Sequence, residues 1–323
     1  MSQFHDLPNE IILKVLSYLK VKELLCFGQT SKQIRAVSID ETLYQKIDLN
    51  GKKVHTRFLE KIINKGCKDL NLIGALLKGG DFNLSKKSQL KFLNLDFCAA
   101  SVKNMEVLTD SCVQLKKISI RRMTKLFLSS SMIQSICNQS SQTLQVLNLE
   151  KCGGTLDVSL SEDQIRLITE KCVALKEVIF KNTGLSSDSI NILTNNLTPN
   201  IQKFSLRQCQ PVRDWHIDTL VRRCNQIRVL DLKNTSITSN CLPEIIRNLK
   251  NTLEELNVQS YGFVQTYDLN PHLYENSKLF ELKSLTRFKI LHVKVRDNME
   301  RRLKRELIGI TINNEYINDN RYF

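Results

Sequence analysis

The fold is decided by the stretch Leu90-Lys91-Phe92-Leu93-Asn94-Leu95-Asp96-Phe97-Cys98. Its apolar residues stand at the first, fourth and sixth positions, and this spacing returns seven more times along the chain. The eight copies begin at Leu90, Leu115, Leu144, Leu175, Ile201, Ile227, Leu253 and Leu285. Successive starts lie 25 to 32 residues apart. A spacing that recurs at a near-constant period predicts one structural unit repeated along the chain.

Between the copies lie segments with helical spacing that open on Ser, Thr or Asp, which are favoured N-cap residues. They are residues 161–171, 187–197, 214–223 and 238–249. Each unit is therefore expected to be a short strand, a turn and a helix, and the period is close to the ~20–29 residues of a leucine-rich repeat. We predict an α/β fold, a leucine-rich-repeat horseshoe solenoid of about eight to ten repeats. The strand side of such a solenoid is usually a binding surface.

Charge is unevenly distributed along the 323 residues, which carry a net charge of +14. Residues 1–48 hold six basic and six acidic side chains, so the whole excess lies in residues 49–323. This asymmetry indicates two modules, and a basic excess attracts acidic partners, phosphate or nucleic acid.

No apolar run approaches the ~20 residues of a membrane span. The first residues resemble neither a secretion signal nor a transit peptide, so we expect a soluble protein of the cytoplasm or nucleus.

Most of the ten cysteines recur at equivalent positions of the repeats, and the ten contain no CxxC pair. Cys98, Cys152 and Cys209 close a copy of the repeated phrase, and Cys112, Cys172 and Cys224 lie three residues before the next copy. Such placement suits a small buried hydrophobe. A disulfide framework and a zinc site both fit the spacing poorly, so we predict reduced core cysteines, no metal and no cofactor.

The apolar residues ahead of the repeats follow a different spacing. Ile11, Ile12, Val15, Leu16 and Leu19 follow helical spacing. Residues 7–46 predict three short helices, and so short a segment buries little apolar area on its own. We place the helical module at 1–46, the repeat domain at 47–312 and a polar tail at 313–323.

This front module resembles an F-box. The resemblance rests on Leu7-Pro8-x-Glu10, Val15-Leu16-Ser17-Tyr18-Leu19, Glu23-Leu24-Leu25, Ser31-Lys32 and Asp40-Glu41-x-Leu43-Tyr44. Residues 7 to about 312 are together similar to the F-box/leucine-rich-repeat family, and within it to the S-phase-kinase-associated substrate receptors. Ile34 and Tyr44 depart from the family, because F-boxes commonly carry Trp at both places.

The resemblance implies a function. F-boxes of this family bind a Skp-family adaptor, which links them to a cullin–RING ubiquitin ligase, and the repeats hold the protein to be ubiquitinated. The residues that would face the adaptor are Leu7, Pro8, Ile11, Ile12, Val15, Leu16 and Leu19. The chain itself would be a non-catalytic receptor subunit of the ligase, acting in the pathway that conjugates ubiquitin to proteins marked for degradation.

Side chains alternate along a strand, so the third, fifth and seventh phrase positions should face away from the core. The seventh position carries Lys181, Arg207 and Lys233 on consecutive copies, and Arg121 adds a second basic spot beside Lys117. Like charges on neighbouring strands repel, so the row is either neutralised by nearby acids or kept for an anionic ligand. We predict that Arg121, Lys181, Arg207 and Lys233 bind an acidic or phosphorylated substrate.

Two other functions stay open at this stage. The first is a scaffold that uses the adaptor without ubiquitination, and the second is a basic repeat protein that binds nucleic acid. Only the charge favours nucleic acid, because no stacking platform or known module is visible. An enzyme is disfavoured, since the five histidines are scattered and the Gly-Gly pairs lack the lysine of a phosphate-binding loop.

Overall fold

The computed structural model describes residues 7–84, 86–122, 130–151, 160–260 and 278–314. The chain falls into two compact units that meet between Thr143 and Leu144. Cys152 and residues 315–323 of the expected tail lie outside the described residues.

The first unit begins with the helical module and continues into strands and helices that alternate. Its helices are α1 (Asn9–Leu16), α2 (Val21–Phe27), α3 (Lys32–Ser38), the 3-10 helix Glu41–Tyr44, α4 (Thr56–Asn64), α5 (Val102–Ser111) and α6 (Ser130–Gln139). Its strands are β1 (Lys46–Asp48), β2 (Lys53–His55), β3 (Asp69–Asn71), β4 (Leu76–Lys78), β5 (Phe92–Asn94) and β6 (Lys117–Ser119). Strands β1, β3, β5 and β6 pair in parallel in that order, and β2 pairs with β4.

The second unit repeats the same alternation. Its strands are β7 (Val146–Asn148), β8 (Glu177–Ile179), β9 (Lys203–Ser205), β10 (Val229–Asp231), β11 (Glu255–Asn257), β12 (Ile290–Val293) and β13 (Thr311–Asn314). All pair in parallel in chain order. Its helices are α7 (Glu162–Lys171), α8 (Ser187–Asn196), α9 (Asp214–Arg223), the 3-10 helix Ser239–Cys241, α10 (Leu242–Leu249), the 3-10 helix Lys278–Ser284 and α11 (Asp297–Glu306). The leucine-rich-repeat fold expected from the period is confirmed in both units.

The apolar positions of the phrase form the core. In the copy that opens at Ile227, the side chains of Ile227, Leu230 and Leu232 have no exposed area. The helices cover this apolar face, and polar residues that precede them act as caps. Ser161 accepts from the backbone N–H of Gln164, whose side chain accepts from the Ser161 N–H in return. This capping box fixes the start of α7.

The structure confirms two degenerate copies ahead of the eight clear ones, which the sequence indicates at Ile47-Asp48-Leu49 and Leu70-Asn71-Leu72. They begin at Tyr44 and Cys67, and Ile47 pairs with Leu70. The last copy begins at Phe288 and not at Leu285, because Leu256 pairs with Leu291. The start expected at Leu285 is therefore wrong by three residues. Leu291 occupies a buried fourth position, and it does not face outward at a seventh position.

A turn with a left-handed residue follows each phrase strand from β1 to β10. The eighth phrase position has positive φ at Gly51, Gly74, Phe97, Arg122, Lys151, Asn182, Gln208 and Asn234. Within each unit its N–H donates to the seventh-position carbonyl of the next copy, as in Asn182 to Arg207 (2.9 Å) and Gln208 to Lys233 (2.8 Å). The hydrogen-bond ladder therefore continues past the three-residue strands and holds the seventh positions side by side.

Side chains at the fifth position stabilise the same turn. Asn148 accepts from the N–H of Glu150 at 3.0 Å, and Asp231 accepts from the N–H of Lys233 at 3.2 Å. Such a bond from side chain to backbone two residues on is the Asx-turn that Asn and Asp favour. Ile179 stands at the fifth position of the Leu175 copy, and its side chain has no oxygen atom that could accept this hydrogen bond.

The cysteines are core residues, as expected. None of the nine described cysteines is in a disulfide, and all except Cys26 are buried. Burial raises the pKa of the Cys67 and Cys224 thiols to about 12 and that of Cys112 to about 11. Thiols in such surroundings stay protonated and unreactive.

Among the described residues, no helix is long and apolar enough to cross a membrane.

Candidate functional site

The first candidate surface is an apolar stripe along α1. Pro8 precedes the helix and is exposed. Ile11, Val15 and Tyr18 follow at helical spacing and are 49%, 39% and 79% exposed. We call these four residues the apolar helix face. Ile11 and Val15 lie on α1, and Pro8 and Tyr18 flank its two ends. Water contact by these neighbouring apolar side chains is unfavourable, so the face is suited to cover by a partner.

The other apolar residues of α1 point into the module. Ile12 and Leu16 have no exposed area. Helices α1 and α2 both pack against α3, so these two side chains belong to the core. Of the seven residues expected to face an adaptor, Pro8, Ile11 and Val15 are therefore exposed, while Leu7 and Leu19 are half-buried. Ile12 and Leu16 can support an interface only by holding the helix in place.

The two positions that depart from the F-box pattern are both buried. Ile34 is 2% exposed and Tyr44 is 4% exposed. The Tyr44 hydroxyl donates to the Ser38 carbonyl at 2.9 Å. Lys65 lies over the Tyr44 ring at 4.0 Å and donates to the Ile39 carbonyl at 3.1 Å. Tyr44 thus serves both the helical module and the first repeat, which joins the two without a flexible linker.

Burial at this junction shifts two pKa values. It raises the pKa of the Tyr44 hydroxyl. It lowers the pKa of the Lys65 amine, and the nearby carboxylates of Glu41 and Asp40 oppose that change.

The second candidate surface is the row of seventh-position cations in the second unit. We call Lys181, Arg207 and Lys233 the basic row. The ladder bonds described above place these residues on adjacent strands, which lie about 4.8 Å apart. All three side chains are half-buried. The expectation that consecutive copies bring these cations together agrees with the register of β8, β9 and β10.

Acidic groups partly neutralise the predicted cations. Lys181 forms an ion pair with Glu150 at 2.7 Å, and Glu150 is buried. In the first unit, Arg121 pairs with Asp96 at 3.8 Å, and Asp96 is also buried. Asp96 further accepts from the Ser119 hydroxyl at 2.7 Å. In the part of the chain that the structure describes, the buried Nε of Arg207 has no hydrogen-bond partner. Arg207 therefore retains one unsatisfied, buried guanidinium donor.

The sequence reasoning missed several exposed apolar residues. Tyr18, Leu25 and Ile39 are exposed in the helical module, and Phe92 and Phe97 are exposed in the repeat that begins at Leu90. The signals were present, because Ile11, Val15 and Tyr18 form a second stripe beside Ile12 and Leu16. Phe92 and Phe97 stand at third and eighth phrase positions, where an apolar side chain has no core to enter. No group of acidic, His or Cys side chains in the described residues could hold a metal ion.

Comparison with known protein families identifies a domain at the front of the chain. Residues 4–50 match the family model described as F-box-like. The chain therefore carries an F-box-like domain ahead of its leucine-rich repeats.

Solved structures of low identity share parts of the fold. A chain from the yeast Rad7 and Elc1 complex is 14% identical, with a TM-score of 0.48, over 85% of this chain and 76% of that one. An internalin from Listeria monocytogenes is 15% identical, with a TM-score of 0.45, over 96% and 94%. The Caenorhabditis elegans tropomodulin C-terminal domain is 15% identical, with a TM-score of 0.36, over 46% and 93%. Likenesses this weak say nothing about what the chain binds.

Proposed function

We propose that this chain is the substrate-recognition subunit of an SCF-type E3 ubiquitin ligase. The F-box-like domain docks a Skp-family adaptor, and the repeats bind a protein substrate. The observation that carries the proposal is the apolar helix face, because Ile11, Val15 and Tyr18 are exposed on a domain of the F-box-like family. Burying about 100 Å² of apolar area contributes roughly 2.5 kcal/mol, so covering this face by a partner contributes favourably to docking.

The chain holds the substrate in position and supplies no catalytic group. The adaptor links the receptor to a cullin–RING ligase, whose conjugating enzyme carries the ubiquitin. Holding a substrate near that enzyme converts a bimolecular encounter into a local one with a high effective concentration. A receptor therefore accelerates ubiquitin transfer to lysines of the bound substrate only.

The adaptor interface is tested by the variant Ile11→Ser/Val15→Ser. Both side chains are exposed, so the module should stay folded, and adaptor affinity should fall about 30-fold or more, as for anchor residues of other interfaces. The matched control is Ile308→Ser, which alters a side chain that is 88% exposed in the second unit. Isothermal titration calorimetry measures the affinity for a Skp-family adaptor of the unchanged chain, the double variant and the control.

Unchanged adaptor affinity in the folded double variant would reject the interface. The variant Leu7→Ala/Pro8→Ala tests the start of the same face. It is the less clean variant, because Leu7 is half-buried and the Pro8 ring fixes the backbone φ at the start of α1. Circular dichroism of each variant establishes whether α1 is retained.

We assign substrate binding to the basic row and to Arg121, with an acidic or phosphorylated segment as the ligand. The variant Arg207→Glu/Lys233→Glu reverses two charges and should abolish substrate capture. Lys171→Glu/Lys250→Glu changes the charge of the same unit equally at exposed positions near the ends of α7 and α10 and should leave capture intact. Equal capture by both double variants would remove the row from the site.

A scaffold that binds the adaptor without ubiquitination is the rival function. Reconstitution with adaptor, cullin–RING and conjugating enzyme separates the two. Ubiquitin transfer to a captured protein that is lost in Ile11→Ser/Val15→Ser supports the receptor. Capture of the cullin with no transfer to any bound protein supports the scaffold.

A further inference from the structure

Two phenylalanines of one repeat lie on the outer face of the strands in the first unit. Phe92 and Phe97 stand at the third and eighth positions of the copy that begins at Leu90, and they are 42% and 45% exposed. The same positions in the other described copies carry no aromatic residue. A pair of exposed aromatic rings in one repeat is therefore a local feature of this chain and not a property of the repeated phrase.

Phe97 occupies a backbone conformation that disfavours its side chain. Its φ is +56°, and the two preceding copies carry Gly51 and Gly74 at the same place. A bulky residue in the left-handed region is uncommon and strained. The N–H of Phe97 donates to the Arg121 carbonyl at 2.9 Å, and this ladder bond maintains the conformation. The chain thus keeps an exposed ring where glycine would relieve strain.

Among the described residues, the surroundings of Phe97 leave one side open. The Arg122 guanidinium lies 5.2 Å from the ring centre, a cation–π contact. On the other side the ladder continues through Gly74 and Gly51, which have no side chains. A Cβ on Gly74 would meet only Gly51 Cα at 4.0 Å, and a Cβ on Gly51 would meet nothing within 4 Å. The space beside Phe97 spans two strands, about 10 Å, which is wide enough for an apolar side chain.

Phe92 has a matching arrangement at the other end of the strand. In the register of the sheet its neighbours are Asp69 and Lys117. Asp69 is paired with Lys46 at 3.7 Å, while Lys117 forms no ion pair within the described residues. Phe92 and Lys117 also line a cavity of about 390 Å³ over these strands. Each phenylalanine of the Leu90 copy therefore has a cation of the next copy beside it.

Charge makes this region attractive to acidic ligands. Residues 49–143 hold 16 Lys and Arg side chains against 6 Asp and Glu, so most of the basic excess of the chain belongs to the first repeats. Asp96 lies between the two aromatic positions, but it is buried and accepts from the Ser119 hydroxyl and the Arg121 N–H. The outward charge of the two aromatic–cation pairs is therefore not cancelled by this carboxylate.

We propose that Phe92, Phe97, Lys117 and Arg122 form a binding site for an extended acidic peptide segment with large apolar or aromatic side chains. We call these four residues the aromatic–cation site. Phe97 follows Phe92 by five positions but lies in the turn beyond the three-residue strand, so the two Cα atoms are about 10–16 Å apart. An extended peptide of similar length contacts both. The inference rests on the proposed function and names the substrate class that the first repeats select.

The spacing favours a peptide over single-stranded nucleic acid, which is the other ligand that basic and aromatic groups attract. Proteins that bind single strands stack successive bases on closely spaced aromatic side chains. Phe92 and Phe97 are too far apart to stack neighbouring bases. Anchoring two side chains of one extended segment needs the longer spacing.

The test is peptide-display selection of random linear sequences on the full chain. We expect enrichment of acidic sequences that contain aromatic or large aliphatic residues. A synthetic peptide of the enriched sequence should bind Phe92→Thr/Phe97→Asn about 30-fold or more weakly than the unchanged chain. Ile308→Ser, the control for an exposed apolar residue elsewhere, should bind within about twofold of the unchanged chain.

Folding is checked in the same proteins. Asn tolerates the left-handed conformation, so Phe97→Asn should unfold at the same temperature as the unchanged chain or at a higher one. A variant that is at least as stable and loses the peptide supports the site. Failure to enrich acidic sequences, or undiminished binding by the double variant, overturns the proposal. So does binding of an oligothymidine probe that is tighter than peptide binding and depends on the two phenylalanines.

The adaptor titration keeps this result separate from the proposed function. If Phe92→Thr/Phe97→Asn binds the adaptor normally and no peptide is selected, the aromatic–cation site is wrong and the receptor role stands. If Ile11→Ser/Val15→Ser binds the adaptor normally while peptide binding depends on the two rings, the site stands as a peptide site and the receptor role fails.

Discussion

The F-box-like helices and the repeats differ in how far they bury their patterned apolar side chains. In the repeats, the first, fourth and sixth phrase positions are buried, and Leu230 is representative with no exposed area. In the helical module, Ile11, Val15 and Tyr18 are in contact with water although Ile12 and Leu16 beside them are buried. A stacked repeat buries its apolar face against its neighbours. Three short helices have one small core, so a second apolar stripe stays outside and is available to a partner.

Cysteine reactivity should show the largest contrast between the two regions. Cys26, in α2, is the exposed one of the nine described cysteines. In the repeats, burial raises the pKa of Cys67 and Cys224 to about 12. Since the thiolate is the reactive form, native Cys67 and Cys224 should react with iodoacetamide at about pH 8 roughly 1,000-fold more slowly than Cys26. Peptide mass mapping over time measures each rate. Rapid labelling of Cys67 in the folded chain would contradict the buried assignment.

Truncation of apolar side chains should separate the regions next. Leu230→Ala leaves a cavity in a packed core and should lower the free energy of unfolding by about 2–5 kcal/mol. Ile11→Ala removes a half-exposed side chain and should change it by less than about 0.5 kcal/mol. Urea unfolding followed by circular dichroism compares the two. Equal losses would mean that Ile11 is part of a core and not of a docking face.

The turns of the repeats should contribute a smaller amount each. Asn148→Ala removes the acceptor for the Glu150 N–H and should cost about 1 kcal/mol of unfolding free energy. Asn148→Asp keeps an acceptor oxygen and is the control. The same urea titration measures both variants. A negligible loss for Asn148→Ala would show that water replaces the side chain in this turn.

Surface ion pairs of the repeats should give the smallest effect, visible only in acid. Hydrogen bonds from Arg222 and Arg247 lower the pKa of Glu244 to about 2. The folded-state pKa is depressed, so this carboxylate stabilises the fold above the unfolded-state pKa of about 4.3. That contribution is lost as the pH falls toward about 2. Glu244→Gln should therefore flatten the fall in melting temperature between about pH 4.5 and pH 2, measured by scanning calorimetry. An identical profile in the variant would reject the pairing.

Much of this structure could be predicted from spacing alone. For seven of the eight copies the phrase predicted the strand order and the buried positions, because a parallel ladder of equal units needs apolar residues at the same places in every copy. It also predicted that Lys181, Arg207 and Lys233 are neighbours. The start at Leu285 was wrong, because apolar residues three apart at Leu285, Phe288 and Leu291 fit the spacing in two registers. Only the pairing of Leu256 with Leu291 separates them.

The sequence by itself determined the repeating architecture, the buried cysteines and the presence of a separate F-box-like module. Each of these follows from local patterns that one unit repeats or that a short motif carries. Tertiary structure alone decided which side chains reach a partner. Ile11 and Ile12 are adjacent and equally apolar, and only packing against α3 places one outside and the other inside. Likewise, the sequence does not mark Phe97 as a binding residue. The hydrogen-bond ladder places it in a left-handed turn beside Arg122 and two glycines.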